Sequence, residues 1–238
     1  MISDPKRSCP FIIEDAISFW PAFSQSKWSN LDYMRQTAGH YRLVPIEHGK
    51  KYTDEQWTQK LIPFGEFLDS ISNSSGKSDN PCYYLAQHNL LKQAPALNRD
   101  FVLPDYTQVE TGRRTVPVDA ADNLDGVIVN IWIGPSETVS PLHYDVFDNV
   151  FAQIFGYKYF RLYSHRETPN LYPHSSESLL ANTSQIDVES PDIEKYPRST
   201  KAQYLECVVK PGDLLYIPPR WWHYVRSLST SSSISMWF

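Results

Sequence analysis

Ser140-Pro-Leu-His143-Tyr-Asp145, then Asn149, a glycine at Gly156 and a lysine at Lys158, is the stretch on which the reading of this chain turns. His143 and Asp145 are two residues apart, the period of a β-strand, so a strand here puts both side chains on one face. A histidine and a carboxylate on one face, joined by a second histidine from elsewhere, make the facial set that holds Fe(II) and leaves coordination positions open. The pair alone is a weak signal. His-x-Asp arises by chance, and a lone histidine is more often an ordinary core or surface residue.

Outward from this stretch the second half of the chain reads as β. Val127 to Ile133 is a β-branched run with Asn130 and Trp132 set in it. Val150 to Phe155 and Lys158 to Tyr163 flank Gly156-Tyr157, which predicts a hairpin with a two-residue turn. Ser164 to Gln203 is a polar excursion of 40 residues, too long for a plain loop, so short helices or an ordered lid are expected. β character returns at Tyr204 to Val209, Leu214 to Pro218, Trp222 to Arg226 and Ser233 to Phe238, with Pro211-Gly212-Asp213 as a turn.

The first half is more helical. Pro21 should end any short helix at Trp20. Asn30 can cap a helix to about Ala38, with Gly39 as its stop. Tyr41 to Glu47 reads as a strand that Pro45 demotes to an edge. Thr53 to Gln56 has capping-box spacing and predicts a helix carrying Trp57 and Leu61. Pro63 can open another, with Phe64, Phe67, Leu68 and Ile71 on one face. Asn73 to Pro81 is a surface loop, and Cys82 to His88 a strand. Leu90, Leu91, Ala94 and Leu97 mark a short helix interrupted at Pro95. Helices first and at least seven strands afterwards predict a closed or sandwich-like antiparallel β-core with helices packed outside it.

The bulk numbers narrow the function classes. A chain of 238 residues with 41% hydrophobic and 21% charged residues can bury one large core. The formal net charge of −5 argues against gripping nucleic acid by overall field, so no direct nucleic-acid binding is expected. No run of 18 apolar residues predicts a membrane span. The N-terminus lacks the apolar region of a secretory signal, so the chain is expected not to be secreted. Cys9, Cys82 and Cys207 are isolated and odd in number, which fits a reducing compartment better than a disulfide framework.

Three features strengthen the metal reading. His223 follows Pro218-Pro-Arg-Trp-Trp at the start of a strand, 80 residues beyond His143. Lys158 opens an otherwise apolar strand, a costly place for an inward-facing ammonium unless an anion meets it. Asn149, Ser140 and Tyr84 add polar groups able to hold a buried carboxylate. Taken singly, a solvated Lys158 and an Asn149 in a turn are the plainer readings. His40, His48, His88, His165 and His174 read as surface or loop residues.

Together, Ile131-Trp132-Ile-Gly-Pro135, Ser140-Pro-Leu-His143-x-Asp145, Asn149, Gly156-x-Lys158-Tyr-x-Arg-Leu-Tyr163 and Pro211-Gly-Asp-x-x-Tyr-Ile-Pro-x-x-Trp-Trp222-His223 resemble the JmjC class of Fe(II) and 2-oxoglutarate dioxygenases. Val44-Pro-Ile-Glu47, Tyr52-Thr-Asp-Glu-Gln-Trp57, Tyr84-Leu-Ala-Gln-His88 and Leu171-Tyr-Pro-His174 bring it nearest the JmjC domain-containing protein 5 subgroup. The resemblance runs from about Val44 to Phe238 and implies a mainly β chain: a double-stranded β-helix, or jelly-roll cupin barrel, with flanking N-terminal helices and a helical or loop insert between core strands. It divides the chain into an N-terminal helical segment, 1–43, packing on a catalytic domain, 44–238.

The resemblance also implies roles. His143, Asp145 and His223 bind Fe(II). Lys158, with Tyr84 and Ser140 or Asn149, holds the far carboxylate of 2-oxoglutarate, and O2 is the second cosubstrate. Trp132 and Trp222 are candidates for shielding the centre, though either can equally be plain core. Glu47 and Trp57 match positions that grip a substrate arginine, as bidentate carboxylate and stacking indole. The expected partner is a protein or peptide bearing arginine or methyl-lysine, in the nucleus or cytoplasm. Three activities remain open: arginyl C-3 hydroxylation, histone Nε-methyl-lysine demethylation, and ligand binding by a non-catalytic cupin. Larger relatives carry a helical region ahead of the domain. About 40 residues precede the match here, so that region is expected to be missing. Tyr144 stands where Gln is usual.

Overall fold

The structure, a computed structural model, describes residues 8–49, 51–53, 56–73, 83–109 and 123–238. In chain order it contains β1 (Phe11–Ile13), α1 (Pro21–Ser24), α2 (Leu31–Ala38), β2 (Leu43–His48), β3 (Thr58–Pro63), α3 (Phe64–Asn73), β4 (Tyr83–His88) and α4 (Leu90–Gln93). There follow β5 (Asn123–Leu124), β6 (Val127–Gly134), β7 (Val139–Tyr144), β8 (Asn149–Phe155), β9 (Lys158–Tyr163), β10 (Tyr204–Val209), β11 (Leu214–Ile217), β12 (Trp222–Ser227) and β13 (Ser231–Trp237). Short 3-10 turns lie at Pro95–Asp100, Asp105–Gln108, His165–Asn170 and Pro197–Lys201.

The protein is mainly β. Two antiparallel sheets face each other as a jelly roll. The large sheet runs β1-β11-β8-β13-β6-β4-β2-β3, with β5 beside β6, and the small one β10-β9-β12-β7. Phe151, Leu215 and Ile217 of the large sheet meet Phe160, Leu162, Val209 and Val225 of the small one between them. The outer face of the large sheet is closed by the N-terminal segment, whose Trp20, Trp28 and Met34 share a core with Val44, Phe64, Ile131 and Ile234. The outer face of the small sheet is closed by the 164–203 excursion, where Leu171, Ile186 and Val188 cover Leu142, Trp222 and Tyr224. β8 and β13 are thus buried on both faces, which is why they lack a clean period of two.

Several local expectations hold. Asn30 caps α2 by accepting from the backbone N–H groups of Asp32 and Tyr33, and Gly39 ends it at φ 93°. α3 starts after Pro63 and buries Phe64, Phe67, Leu68 and Ile71. The excursion is built from short 3-10 turns and ordered coil.

Others are corrected. Val150 to Tyr163 is not a hairpin: β8 pairs with β11 and β13, and β9 with β10 and β12. Gly156-Tyr157 is the corner at which the chain crosses between sheets. Gly156 sits there at φ 73°, and a Cβ would collide with the Thr230 carbonyl. Trp57 to Leu61 is not helical, because Thr58–Pro63 pairs residue for residue with β2. Asp54 and Glu55 of the expected capping box, and the expected loop from residue 74 to 81, lie outside the described residues. β3, not β2, is the sheet edge. Pro45 is tolerated because β4 pairs with β2 only at Glu47 and His48. Pro21 opens a helix rather than closing one, since its missing N–H costs nothing in a first turn. Nor is the N-terminal segment purely helical, for β1 forms the other edge of the large sheet on β11.

Candidate active site

The small sheet brings the triad together. His143 on β7 and His223 on β12 are direct cross-strand partners, and their rings lie 4.2 Å apart. Asp145 follows β7 immediately, its carbonyl accepting from the Arg220 N–H at 2.7 Å. His223 Nε2 is 3.5 Å from Asp145 Oδ2. One ligand atom from each residue lies within 4.8 Å of the others, the one such group of three among the described residues. The remaining histidines stay outside it.

The tautomers follow from the hydrogen bonds. His143 Nδ1 lies 2.7 Å from the Pro141 carbonyl, and His223 Nδ1 lies 3.0 Å from that of Trp221. A carbonyl only accepts, so both Nδ1 atoms carry hydrogen and both Nε2 lone pairs are free for a metal. Burial, and then the neighbouring His143, push His223 down to about 4. It is therefore neutral at ordinary pH, the form that ligates. Two imidazoles and one carboxylate fit a divalent first-row metal with open positions.

β7 is an edge of the small sheet, and the excursion closes it. Tyr144 N–H donates to the Asn182 carbonyl, Ser184 N–H donates to the Leu142 carbonyl, and Asn182 Nδ2 returns a bond to the Tyr144 carbonyl. His143 itself pairs with Thr183. The polar excursion is thus part of the scaffold that fixes the ligand strand.

From the triad an inner pocket leads to Lys158, lined also by Tyr84, Trp132, Ser140, Asn149 and Phe151. Lys158 is 1% exposed. Its ammonium donates to Tyr84 Oη at 2.9 Å and lies 5.3–5.8 Å from the ring centres of Tyr84, Phe151 and Trp132. No carboxylate among the described residues pairs with it, and burial pushes it down from 10.5 to about 7. Asn149 Oδ1, also buried, has no hydrogen-bond partner among the described residues. The pocket therefore holds a cation and a polar group that lack their natural complements. As the side chains stand it is narrow, about 30 Å³, so a ligand reaching Lys158 must displace some of the lining.

An outer chamber of about 300 Å³ opens over His143 and Asp145. It is lined by Glu47 and Tyr52 on one side and Asn182 and Thr183 on the other. Burial raises the Glu47 carboxyl, and the nearby Trp57 indole partly offsets this. Trp57 Nε1 nonetheless makes no hydrogen bond of normal geometry among the described residues, and Trp57 is not among the residues lining the chamber. Tyr52 Oη is 3.3 Å from Thr183 Oγ1, so the loop after β2 and the excursion meet over the chamber.

The structure gathers His143, Asp145, His223, Lys158, Tyr84, Ser140, Asn149 and Trp132 around one cavity, with Glu47 at its mouth. Trp222 is different. It is fully buried on the outer face of the small sheet, donating to Thr168 Oγ1 at 2.9 Å, and so is core rather than shield. Gln87, Tyr52, Asn182, Thr183 and Trp237 also line the site, and none of them carries a role in the sequence reading. Gln87 is turned in at φ 48° where the β4–β6 register slips between Leu85 and His88. Neither that bulge nor the end of β13 has a local signature.

A jelly roll with a His-Asp-His set at its mouth defines a cupin-like protein with a candidate metal site. The profile of the cupin-like domain family matches residues 5–238, and the chain belongs to that family. Within it the JmjC resemblance stands. The chain is 48% identical over 235 residues to lysine-specific demethylase 8 of Danio rerio, covering 99% of this chain and 54% of the relative. It is 44% identical over 229 residues to JmjC domain-containing protein D of Dictyostelium discoideum, covering 94% and 50%. It is 41% identical over 230 residues to Jumonji C domain-containing protein 5 of Drosophila melanogaster, covering 96% and 54%. The chain thus spans about half the length of these relatives. No helix among the described residues is long and apolar enough to cross a membrane.

Proposed function

We propose that the protein is an Fe(II)- and 2-oxoglutarate-dependent dioxygenase that hydroxylates an arginine side chain of a protein substrate, acting in the nucleus or cytoplasm. The observation that carries this reading is Lys158: a buried ammonium without a carboxylate partner among the described residues, at the end of a pocket that begins at a His-Asp-His set. A dicarboxylic 2-oxo acid supplies what each end lacks.

His143, Asp145 and His223 would hold Fe(II). With 2-oxoglutarate and O2 bound, the metal supplies the oxidising chemistry, in which succinate and CO2 form and one oxygen atom goes to the substrate. The protein's own part is positioning. Lys158 meets the far carboxylate, and Tyr84 Oη, Ser140 and Asn149 surround it, giving charge-assisted bonds in a low-dielectric site. Trp132, its indole N–H donating to Ser235 Oγ at 2.9 Å, walls off water. Glu47 lies half-buried at the chamber without a cationic partner among the described residues. A guanidinium bound there gives two parallel hydrogen bonds and keeps the carboxylate charged.

A second reading is removal of a methyl group from Nε-methyl-lysine by the same centre. The name of the Danio rerio relative, lysine-specific demethylase 8, favours it. One experiment separates the two. Peptides bearing arginine or methyl-lysine are incubated with Fe(II) and 2-oxoglutarate and examined by mass spectrometry. One oxygen gained on arginine supports the first reading, and loss of a methylene from lysine the second. If neither mass change nor succinate release exceeds that of His143→Ala, both fail and a non-catalytic ligand-binding cupin is left.

A further inference from the structure

The inner face of the large sheet does not stop at the mouth of the barrel. Cross-strand partners point to the same side of a sheet, and alternate residues along a strand share a face. Glu47 pairs with Tyr84 on β4. On the other side β2 and β3 pair Glu47 with Gln59, Pro45 with Leu61 and Leu43 with Pro63. One continuous face therefore runs from Tyr84 inside the barrel, past Glu47 at its mouth, and on to Pro45, Leu61 and Leu43. The intervening Val44 and Ile46 point the other way and are fully buried in the core.

Beyond Glu47 this face lies open. Leu43 is 54% exposed and Leu61 67%, and Tyr41, just before the strand, is 84% exposed. On a strand with one buried face the outward positions are normally polar. Here they are apolar, on the outermost ribbon of the sheet, with no covering element among the described residues. Contiguous exposed apolar surface of this kind marks an interaction site.

We propose that Leu43, Pro45 and Leu61 form a docking shelf for the stretch of substrate polypeptide next to the residue held at Glu47, selecting apolar side chains two and four positions from it. The proposal rests on the reading of Glu47 as the anchor for a cationic side chain. Two features favour a substrate segment over other occupants. The shelf is continuous with the active-site chamber through Glu47 itself. Its spacing also matches an extended chain: at about 3.3 Å per residue, Pro45 and Leu43 stand roughly 7 and 13 Å from Glu47. An extended peptide lying along β2 with its cation at Glu47 brings alternate side chains over the same two positions.

The test uses the full chain and fluorescein-labelled 11-residue peptides on an alanine–serine background. Each has a central arginine, with leucine or aspartate at the second and fourth positions on one side or the other. Binding is read by anisotropy, which does not depend on turnover. One leucine-flanked peptide is expected to bind roughly tenfold tighter than its aspartate counterpart, as expected for covering exposed leucine side chains. Leu61→Asp should remove that difference. Lys60→Ser, on the opposite face of the same strand, should keep it and controls for folding. Binding that needs the arginine but ignores its flanks overturns the shelf and leaves Glu47 as anchor. A leucine preference that persists in Leu61→Asp also overturns it. A preference lost in Leu61→Asp but indifferent to arginine→glutamine in the peptide supports the shelf and removes the Glu47 reading. No binding by any peptide overturns both. A wild-type dimer that becomes monomeric in Leu61→Asp assigns the surface to a second copy instead.

Discussion

Replacing Lys158 by methionine should make the protein more stable and less able to bind its cosubstrate. Burial holds this lysine near 7 in the folded chain, against 10.5 when exposed. Below pH 7 both folded and unfolded chains carry the proton, and the folded chain bears the whole cost of desolvating it. Between about 7 and 10.5 the unfolded chain alone stays protonated, so the wild type gains stability as pH rises through that window. The gap corresponds to roughly 5 kcal/mol. Methionine has similar length and no charge, so Lys158→Met should recover a large part of it, less the bond to Tyr84 Oη. We expect about 3 kcal/mol at pH 6, a rise in Tm on the order of 10 °C, shrinking toward zero by pH 10.5. Removing one partner of a buried ion pair costs about 3–5 kcal/mol, so affinity for 2-oxoglutarate should fall roughly 100- to 5,000-fold. Thermal melts at pH 6 and pH 9 and calorimetric titration with 2-oxoglutarate measure the two effects. A variant that binds within threefold of the wild type, or melts below it at pH 6, would refute the assignment of Lys158.

The same lysine gives a proton-linkage prediction. At pH 8 it is mostly neutral in the free protein, and an arriving carboxylate restores its charge. Binding should then take up nearly one proton, but almost none at pH 6; titrations in buffers of different ionisation enthalpy report this, and uptake independent of pH contradicts it. Metal should stabilise the fold by mass action, with Mn(II) at 100 times its Kd adding about 2.7 kcal/mol; Asp145→Ala should abolish the shift in a thermal melt. Asp100→Ala should cost about 2–4 kcal/mol in denaturant unfolding, because Asp100 is buried and accepts from Trp28 Nε1 at 3.1 Å and Tyr33 Oη at 2.7 Å. Gly156→Ala should destabilise by at least about 1 kcal/mol, through its left-handed φ and the collision with Thr230; unchanged melting would remove the strain from the corner.

By itself the sequence determined what depends on neighbours in the chain. The Asn30 cap, the Gly39 stop, the helix after Pro63 and the β character of the second half all follow from side chains acting within a few residues of themselves. The two-residue spacing of His143 and Asp145 belongs here too, as does the suspicion that Lys158 on an apolar strand needs an anion. What lay beyond local reading was partner choice. Two apolar runs about Gly156 look the same whether their strands pair together or part to opposite sheets, and only the barrel's closure separates them. Trp132 and Trp222 are alike as sequence, yet the pleat of one sheet turns the first toward the metal site and that of the other turns the second into the outer core. Gln87 enters the cavity through a register slip that exists only between β4 and β6. The stretch from Ser140 to Lys158 announces half a metal site, and the other half arrives because β12 lies beside β7, a contact between residues 80 positions apart.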